Sequence, residues 1–430
     1  MHYIKKKRML NKITSILFKN KQFHKLSVYG FGQLFNLVTP LIVVPYIVNI
    51  CGEENFGKSA VGMAIAFFLI VFVDYGSDIL GVREISINRD NPSNTEKIFL
   101  TTYAVKFVIL IATLSIATFC FLYIPYFRDE KILFLLSLSV LVGQFINPTW
   151  FLQGVENVRW ITLLNIISKT IYLTGIFLTV NTVEDYIYIN LWWGIGMIIA
   201  NLFVLILVFK KHNFKLKIIP LLEIKKHLRN DFSMFSSQIF VSLQLYAPVI
   251  MVSYFGSNLM AGQYKIIEQI IVVFKTYIFL FFNFIFPKVC YEVEHTPNIA
   301  LRNWKIYNGL NFLFVLAGMI LFYIYSYEIV SYFNPTNRYF LSELLEVAVF
   351  IPLLLAISTP LKQLVLAFNH KKFYIRLTAI MVIFSLLLIR IVIPIYEVYG
   401  VLYSLLFTEI IMIIFYLSCV RKNVSKIRSN

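Results

Sequence analysis

Apolar runs long enough to cross a membrane recur along this chain, and the charges between them fall on alternate connections. A bilayer span needs about 20 apolar residues. Candidates lie at 27–48, 58–80, 99–123, 132–152, 160–181 and 187–209, and again at 232–254, 264–287, 304–327, 345–368, 373–395 and 399–420. With these taken as about twelve membrane helices, 27 of the 39 Lys and Arg fall on one set of alternating connections. Three fall on the other set, and nine lie inside or at the edges of apolar runs. Lys and Arg are retained in the cytoplasm during insertion, so the bias predicts an even number of crossings with both termini cytoplasmic. The expected fold class is therefore an all-α polytopic membrane protein.

Composition excludes the main alternatives. A chain that is 59% hydrophobic and only 14% charged could not cover a water-soluble surface with polar groups. The net charge of +17 would elsewhere suggest nucleic acid, but here the cations sit in short loops beside apolar runs. That is the pattern of membrane topology and contact with anionic lipid, so no nucleic-acid partner is expected. Cys51, Cys120, Cys290 and Cys419 are too scattered for a disulfide framework or a ligand set. His2, His24, His212, His227, His295 and His370 all fall in expected cytoplasmic segments, so no metal site is expected. The basic opening segment is followed by an apolar run too long for a cleavable leader and is read as cytoplasmic. No phosphate loop or dinucleotide fingerprint is present, and no cofactor is expected.

The chain divides into a basic N-terminus (1–25), a six-helix bundle (26–209), a polar cytoplasmic linker (210–231), a second six-helix bundle (232–420) and a tail (421–430). The linker carries Lys210, Lys211, Lys215, Lys217, Lys225, Lys226 and Arg229, and its Ile218–Leu222 patch predicts a short interfacial helix. The halves look related. Gln33-Leu34-Phe35 recurs as Gln238-Ile239-Phe240 at an offset of 205, Gly57 meets Gly262, and Arg83 meets Lys288. Six helices per repeat suits a duplication about an axis normal to the membrane, an arrangement commonest in transporters. The connections on the outer side are short; the longest, near 328–340, leaves no room for a catalytic domain.

Ionisable groups at bilayer depth are costly and mark a cavity or a partner. Asp74 and Asp78, four apart, predict a shared helical face that would serve as a cation or proton site, a gate, or a boundary pair. Lys169 and Lys275 lie near the middles of their helices, and Lys106 and Lys362 nearer the cytoplasmic side. Several isolated cations on different helices predict a basic cavity for an anion such as a diphosphate. Arg390 reads as interfacial. Glu268 and Glu409 are candidate coupling carboxylates or salt-bridge partners of the cavity lysines. Gln33, Asn36, Gln144, Asn147, Gln244 and Asn283 would hydrogen-bond sugar hydroxyls or, more simply, join helices. Pro40 and Pro45, Pro248, and Pro352 with Pro360 predict helix interruptions where motion would centre.

Three segments carry a family resemblance: Ser27-Val28-Tyr29-Gly30 through Pro40; Gly52-Glu53-Glu54-Asn55-Phe56-Gly57; and Asp74-Tyr75-Gly76-Ser77-Asp78-Ile79-Leu80-Gly81-Val82-Arg83-Glu84-Ile85. Together with Phe286-Pro287-Lys288 they resemble the polysaccharide transporter family. These are the O-antigen flippases (Wzx type) of the superfamily that also holds multidrug exporters and the lipid II flippase. The resemblance is sharpest over residues 26–100. It implies a V-shaped, two-bundle fold that moves an undecaprenyl-diphosphate-linked oligosaccharide from the cytoplasmic to the periplasmic leaflet of the bacterial inner membrane, driven by an ion gradient. Polysaccharide polymerase and chain-length machinery are the implied protein partners. Of the family-like motif, Asp74, Gly76, Arg83 and Glu84 match. An enzyme is not expected; the rivals are a cation-coupled multidrug exporter and a membrane polysaccharide polymerase.

Overall fold

The computed structural model describes residues 21–429, with side chains described throughout except at 21–31, 33–34, 298 and 425–429. The first twenty residues, including His2, lie outside the described residues, as do the side chains of His24, of the motif Ser27-Val28-Tyr29-Gly30, of Gln33 and of the tail beyond Val424. Among the described residues there is no strand. The helices are α1 (Lys21–Asp74), α2 (Val82–Asn88), α3 (Pro92–Tyr123), α4 (Pro125–Arg128), α5 (Lys131–Ser137), α6 (Ser139–Ile146), α7 (Thr149–Gly154) and α8 (Val158–Thr179). They continue as α9 (Ile189–His212), α10 (Leu221–Phe255), α11 (Asn258–His295), α12 (Pro297–Ile324), α13 (Ser326–Ser331), α14 (Arg338–Ala348), α15 (Phe350–Ala367) and α16 (Lys371–Ser429).

Ten stretches among the described residues are long and apolar enough to cross a membrane. Two of them are far too long for one crossing. Phe35–Asp74 and Lys371–Val424 have 40 and 54 residues, about 60 and 81 Å at 1.5 Å per residue, against a hydrocarbon core of about 30 Å. Each contains one residue off the helical path, Gly52 (φ 78°, ψ 166°) and Glu397 (φ 52°, ψ −132°). These breaks, and not Pro40 or Pro45, divide the two long runs, whereas the expected span 345–368 does break at Val349, three residues before Pro352. The backbone stays helical through Pro40, Pro45, Pro248 and Pro360, since a helix in lipid can leave one carbonyl to a neighbouring group. Two further expectations shift. The run 58–80 ends at Asp74, where Tyr75 and Gly76 turn left-handed (φ 44° and 81°) and a π-turn over Ser77–Gly81 follows. The interfacial helix at 218–222 does not form: Ile218 stands fully exposed, and α10 begins at Leu221, just after Pro220, and runs on into the membrane.

The chain forms two compact units. The first holds residues up to 43, 66–181 and 187–239; the second holds 44–65, 182–186 and 240–430. In the first, α9 packs on α6 and α8. Lipid tails are as apolar as leucine, so this packing depends on close approach and polar links. A methyl at Gly194 would fall 2.0 Å from Ser139 Oγ, and one at Gly196 2.5 Å from the Ser168 carbonyl oxygen. Asn201 Nδ2 donates to the Gly143 carbonyl at 2.7 Å, and Asn190 Nδ2 to Ser137 Oγ at 2.8 Å. The core closes around Phe99, whose ring meets Tyr103, Trp150, Phe151 and Phe214 at 4.7–5.7 Å.

In the second unit α15 and α16 pack together with α11 and α12, over a core of Val289, Leu364, Val365, Met381 and Tyr416. Here the turn at Gly52 meets the start of α11. A methyl on Gly57 would lie 1.9 Å from the Asn258 carbonyl oxygen, and one on Gly262 2.0 Å from that of Glu53. The contact is reciprocal at the offset of 205: 53 corresponds to 258, and 57 to 262. The break at Gly52 likewise corresponds to Ser257, the N-cap of α11 (φ −151°, ψ 165°), so both helix pairs turn at the same place. The Glu53 carboxylate, buried, accepts from the Thr336 backbone N–H and ties the turn to the connection before α14.

Candidate functional site

The second unit contains a cavity of about 340 Å³ that collects four of the ionisable side chains singled out by the sequence. Helical spacing explains the collection. Residues 264, 268 and 275 of α11, 355, 359 and 362 of α15, and 405 and 409 of α16 recur at intervals of three, four and seven, so each helix shows one face to the space. Tyr264, Glu268 and Lys275 come from the first helix, Thr359 and Lys362 from the second, Glu409 from the third; α10 adds Gln244 and Pro248. Glu268 is engaged by Lys265, whose Nζ donates to its Oε2 at 2.7 Å. Glu409 accepts a hydrogen bond from Ser358 Oγ, which is buried. Lys362 Nζ lies 5.3 Å from the Phe282 ring centre and 5.0 Å from that of Tyr374. Two ammonium groups and two carboxylates line the cavity, and Lys265 beside Glu268 brings the formal count to three cations against two anions. Phe279 and Phe282 supply an apolar wall.

The first unit treats its charges differently. Lys106, 1% exposed, donates to Asp74 Oδ1 at 3.0 Å and to the Gln144 carbonyl at 3.3 Å. Gln144 Nε2 donates to both Asp74 oxygens, at 3.0 and 2.8 Å, and its own Oε1 accepts from Asn147. Asp78 does not share this face. The turn at Tyr75–Gly76 carries it to Gln238, whose Nε2 donates to its oxygens at 2.9 and 3.1 Å. Lys169 is buried with its Nζ 3.1 Å from the centre of the Trp193 ring, which also meets Tyr172 and Phe67 edge-on. A cation on an indole face is held by the ring quadrupole, and among the described residues no ion pair engages Lys169. Arg390 lies 5.6 Å from the Phe255 ring in the second unit.

Of the remaining motif residues, Gly76 supplies the left-handed turn. Arg83 is exposed, and Glu84 lines a polar pocket with Lys97, Glu223 and His227, in which Lys97 and Glu223 pair at 2.8 Å. Burial pushes the Glu84 carboxyl above its ordinary value, with nearby His227 acting the other way. The structure thus brings Lys275, Lys362, Glu268 and Glu409 together and leaves Lys106 and Lys169 in separate settings. Sequence reasoning passed over Ser358, Thr359, Trp193 and Lys265; only Lys265, three residues before Glu268, carried a legible signal.

This architecture is that of a polytopic membrane transporter. The chain superposes on the lipid II flippase MurJ in an inward closed conformation with a TM-score of 0.72 at 15% identity, covering 91% of this chain and 87% of that one. It superposes on an inward-facing multidrug resistance MATE family transporter of the MOP superfamily with a TM-score of 0.66 at 14% identity, covering 96% and 100%. The chain belongs to the polysaccharide biosynthesis protein family, whose model matches residues 23–289. A protein of Escherichia coli (strain K12), provisionally named an O-antigen transporter, is 24% identical over 396 residues, 90% of this chain and 94% of that protein. A relative of the same provisional name from Shigella dysenteriae is 25% identical over 401 residues, 92% and 98%.

Proposed function

We propose that this chain is a flippase of the bacterial inner membrane. It moves an undecaprenyl-diphosphate-linked oligosaccharide, the repeat unit of an O-antigen or other surface polysaccharide, from the cytoplasmic to the periplasmic leaflet. The cycle is alternating access driven by an ion gradient, and the chain is not an enzyme. Each broken run counts as two crossings, giving twelve, with bundles at 26–209 and 232–420 and both termini cytoplasmic. The observation that carries the proposal is the pair Lys275 and Lys362 facing one cavity in which Glu268 is engaged by Lys265 and Glu409 by Ser358. Such a surplus suits a diphosphate, which each ammonium meets as a point charge. Lys169 is a second anion contact, Lys106 is held by Asp74, and Glu409 is the coupling carboxylate. Polymerase and chain-length proteins receive the product.

The test begins with deletion of the gene and identification of the lipid-linked oligosaccharide that accumulates. A complete repeat unit held on the cytoplasmic side is expected. Lys275→Gln/Lys362→Gln, expressed at the wild-type level, should fail to restore export, as should neutralisation of Lys169 with Lys275. Repeat units that reach the periplasm but stay unpolymerised would make the chain a polymerase. The rival reading, a cation-coupled multidrug exporter, draws on Glu409 beside the aromatic wall of Phe279 and Phe282; an unchanged glycan with altered drug tolerance would favour it.

A further inference from the structure

The second unit holds another cleft, of about 520 Å³, where α12, α15 and the end of α16 meet. Its lining is two-faced. Arg302 and Lys305 form the rim, Leu301, Ile306, Leu364 and Val420 the floor, and no carboxylate lines it. Both cations are exposed and have no hydrogen bond or ion pair among the described residues. Other exposed cations are satisfied: Lys97 by Glu223, Lys217 by Glu96, Arg89 by Glu156 and Lys288 by Glu292. Arg302 and Lys305, three apart on one helix, instead repel each other without an internal counter-charge.

The surroundings specify what would neutralise them. Ile306, Leu310 and Leu313 follow Arg302 along α12 at four- and three-residue intervals, each 48–63% exposed, and make an apolar track leading away from the rim. Trp304, which lies between the two cations in sequence, donates its indole N–H to the Pro360 carbonyl at 3.2 Å. The positive-inside bias puts this end of α12 at the inner leaflet. A free phosphate would use the rim and ignore the track, whereas a phospholipid uses both. The volume falls within the range of small-molecule sites, about 300–1,000 Å³. Basic pockets between membrane helices on the cytoplasmic side are suited to acidic lipid headgroups.

We infer that this cleft binds an anionic phospholipid of the inner leaflet: its phosphodiester lies between Arg302 and Lys305, and an acyl chain runs along Ile306, Leu310 and Leu313. The guanidinium supplies a two-pronged contact and the ammonium a point charge. The inference stands independently of the transported substrate.

The test uses the full chain in mild detergent, with dioleoyl-phosphatidylglycerol, dioleoyl-phosphatidylcholine or inorganic phosphate added, read by thermal stability and by lipid retention in native mass spectrometry. Phosphatidylglycerol should bind at least tenfold more tightly than phosphatidylcholine and raise the melting temperature, and inorganic phosphate should do neither. Arg302→Gln/Lys305→Gln should keep the lipid-free melting temperature and lose the preference, Arg302→Lys/Lys305→Arg should retain it, and Lys371→Gln/Lys372→Gln should leave it intact. Undiminished selectivity in the Arg302/Lys305 double glutamine variant would overturn the inference. So would a response to inorganic phosphate equal to that of the lipid.

Discussion

Replacing Lys106 by methionine should cripple the fold before it affects any ligand. The ammonium is 1% exposed and lies 3.0 Å from an Asp74 carboxylate that is 13% exposed. At that distance and an effective dielectric constant of about 20, the attraction is about 5.5 kcal/mol. Desolvation offsets much of it, so the pair contributes little net stability, but removing one partner strands the other. Loss of a single partner from a buried pair costs about 3–5 kcal/mol. Gln144, which holds both carboxylate oxygens, moderates the loss without neutralising the charge. Lys106→Met should therefore unfold at markedly lower denaturing-detergent fraction than wild type. Asp74→Asn/Lys106→Met, with no charge left to bury, should recover most of the deficit, for a coupling of about 2 kcal/mol or more. The assay is a double-mutant cycle on equilibrium unfolding in mixed micelles, followed by tryptophan fluorescence. A Lys106→Met protein as stable as wild type, or a double variant worse than the single, would refute the reasoning. Wild-type stability with lost export would return Lys106 to the ligand.

Three further outcomes follow from the geometry. Gly57→Ala and Gly262→Ala each force a methyl to within about 2 Å of a backbone oxygen and should each cost about 1–3 kcal/mol, while Gly309→Ala, with nothing within 4 Å, should leave the melting temperature unchanged. Gly52→Ala meets open space but a left-handed backbone, so about 1–2 kcal/mol of strain alone should appear in the same melt. Glu409→Gln should leave substrate retention in detergent intact while transport in vesicles stops responding to an imposed ion gradient; an unchanged gradient response would remove Glu409 from coupling.

The helical class, the apolar runs and their approximate ends were legible because a period of 3.6 and a 20-residue length are local properties. Partnership was not. Asp74 and Asp78 stand four apart, which on an unbroken helix puts them on one face; the left-handed Tyr75–Gly76 turn sends one to Lys106 and the other to Gln238. Gly76 was the only hint, and a glycine in an apolar run is as readily a packing residue. The four lysines were likewise indistinguishable by depth. What separates them is the neighbour across the helix boundary: a carboxylate for Lys106, an indole for Lys169, a shared cavity for Lys275 and Lys362. Such contacts depend on crossing geometry that no local spacing encodes.

The repeat sharpens that division between scaffold and chemistry. At the offset of 205 the glycine contact is reciprocal and the breaks at Gly52 and Ser257 coincide, so backbone geometry is common to the helix pair formed by α1 and the pair formed by α10 and α11. Along the same register the cavity charges have no counterparts: Glu268 corresponds to Met63, Lys275 to Ile70, and Asp74 to Phe279. A symmetric scaffold with symmetric charges would hold two equivalent ligands. Here the ammonium groups of α11 and α15 belong to the second copy, and in the first the positions of Lys275 and Lys362 are held by Ile70 and Asn157, neither of them charged. An elongated amphiphile, charged at one end, is the kind of ligand such an asymmetry suits, because its anionic end then has one place to dwell.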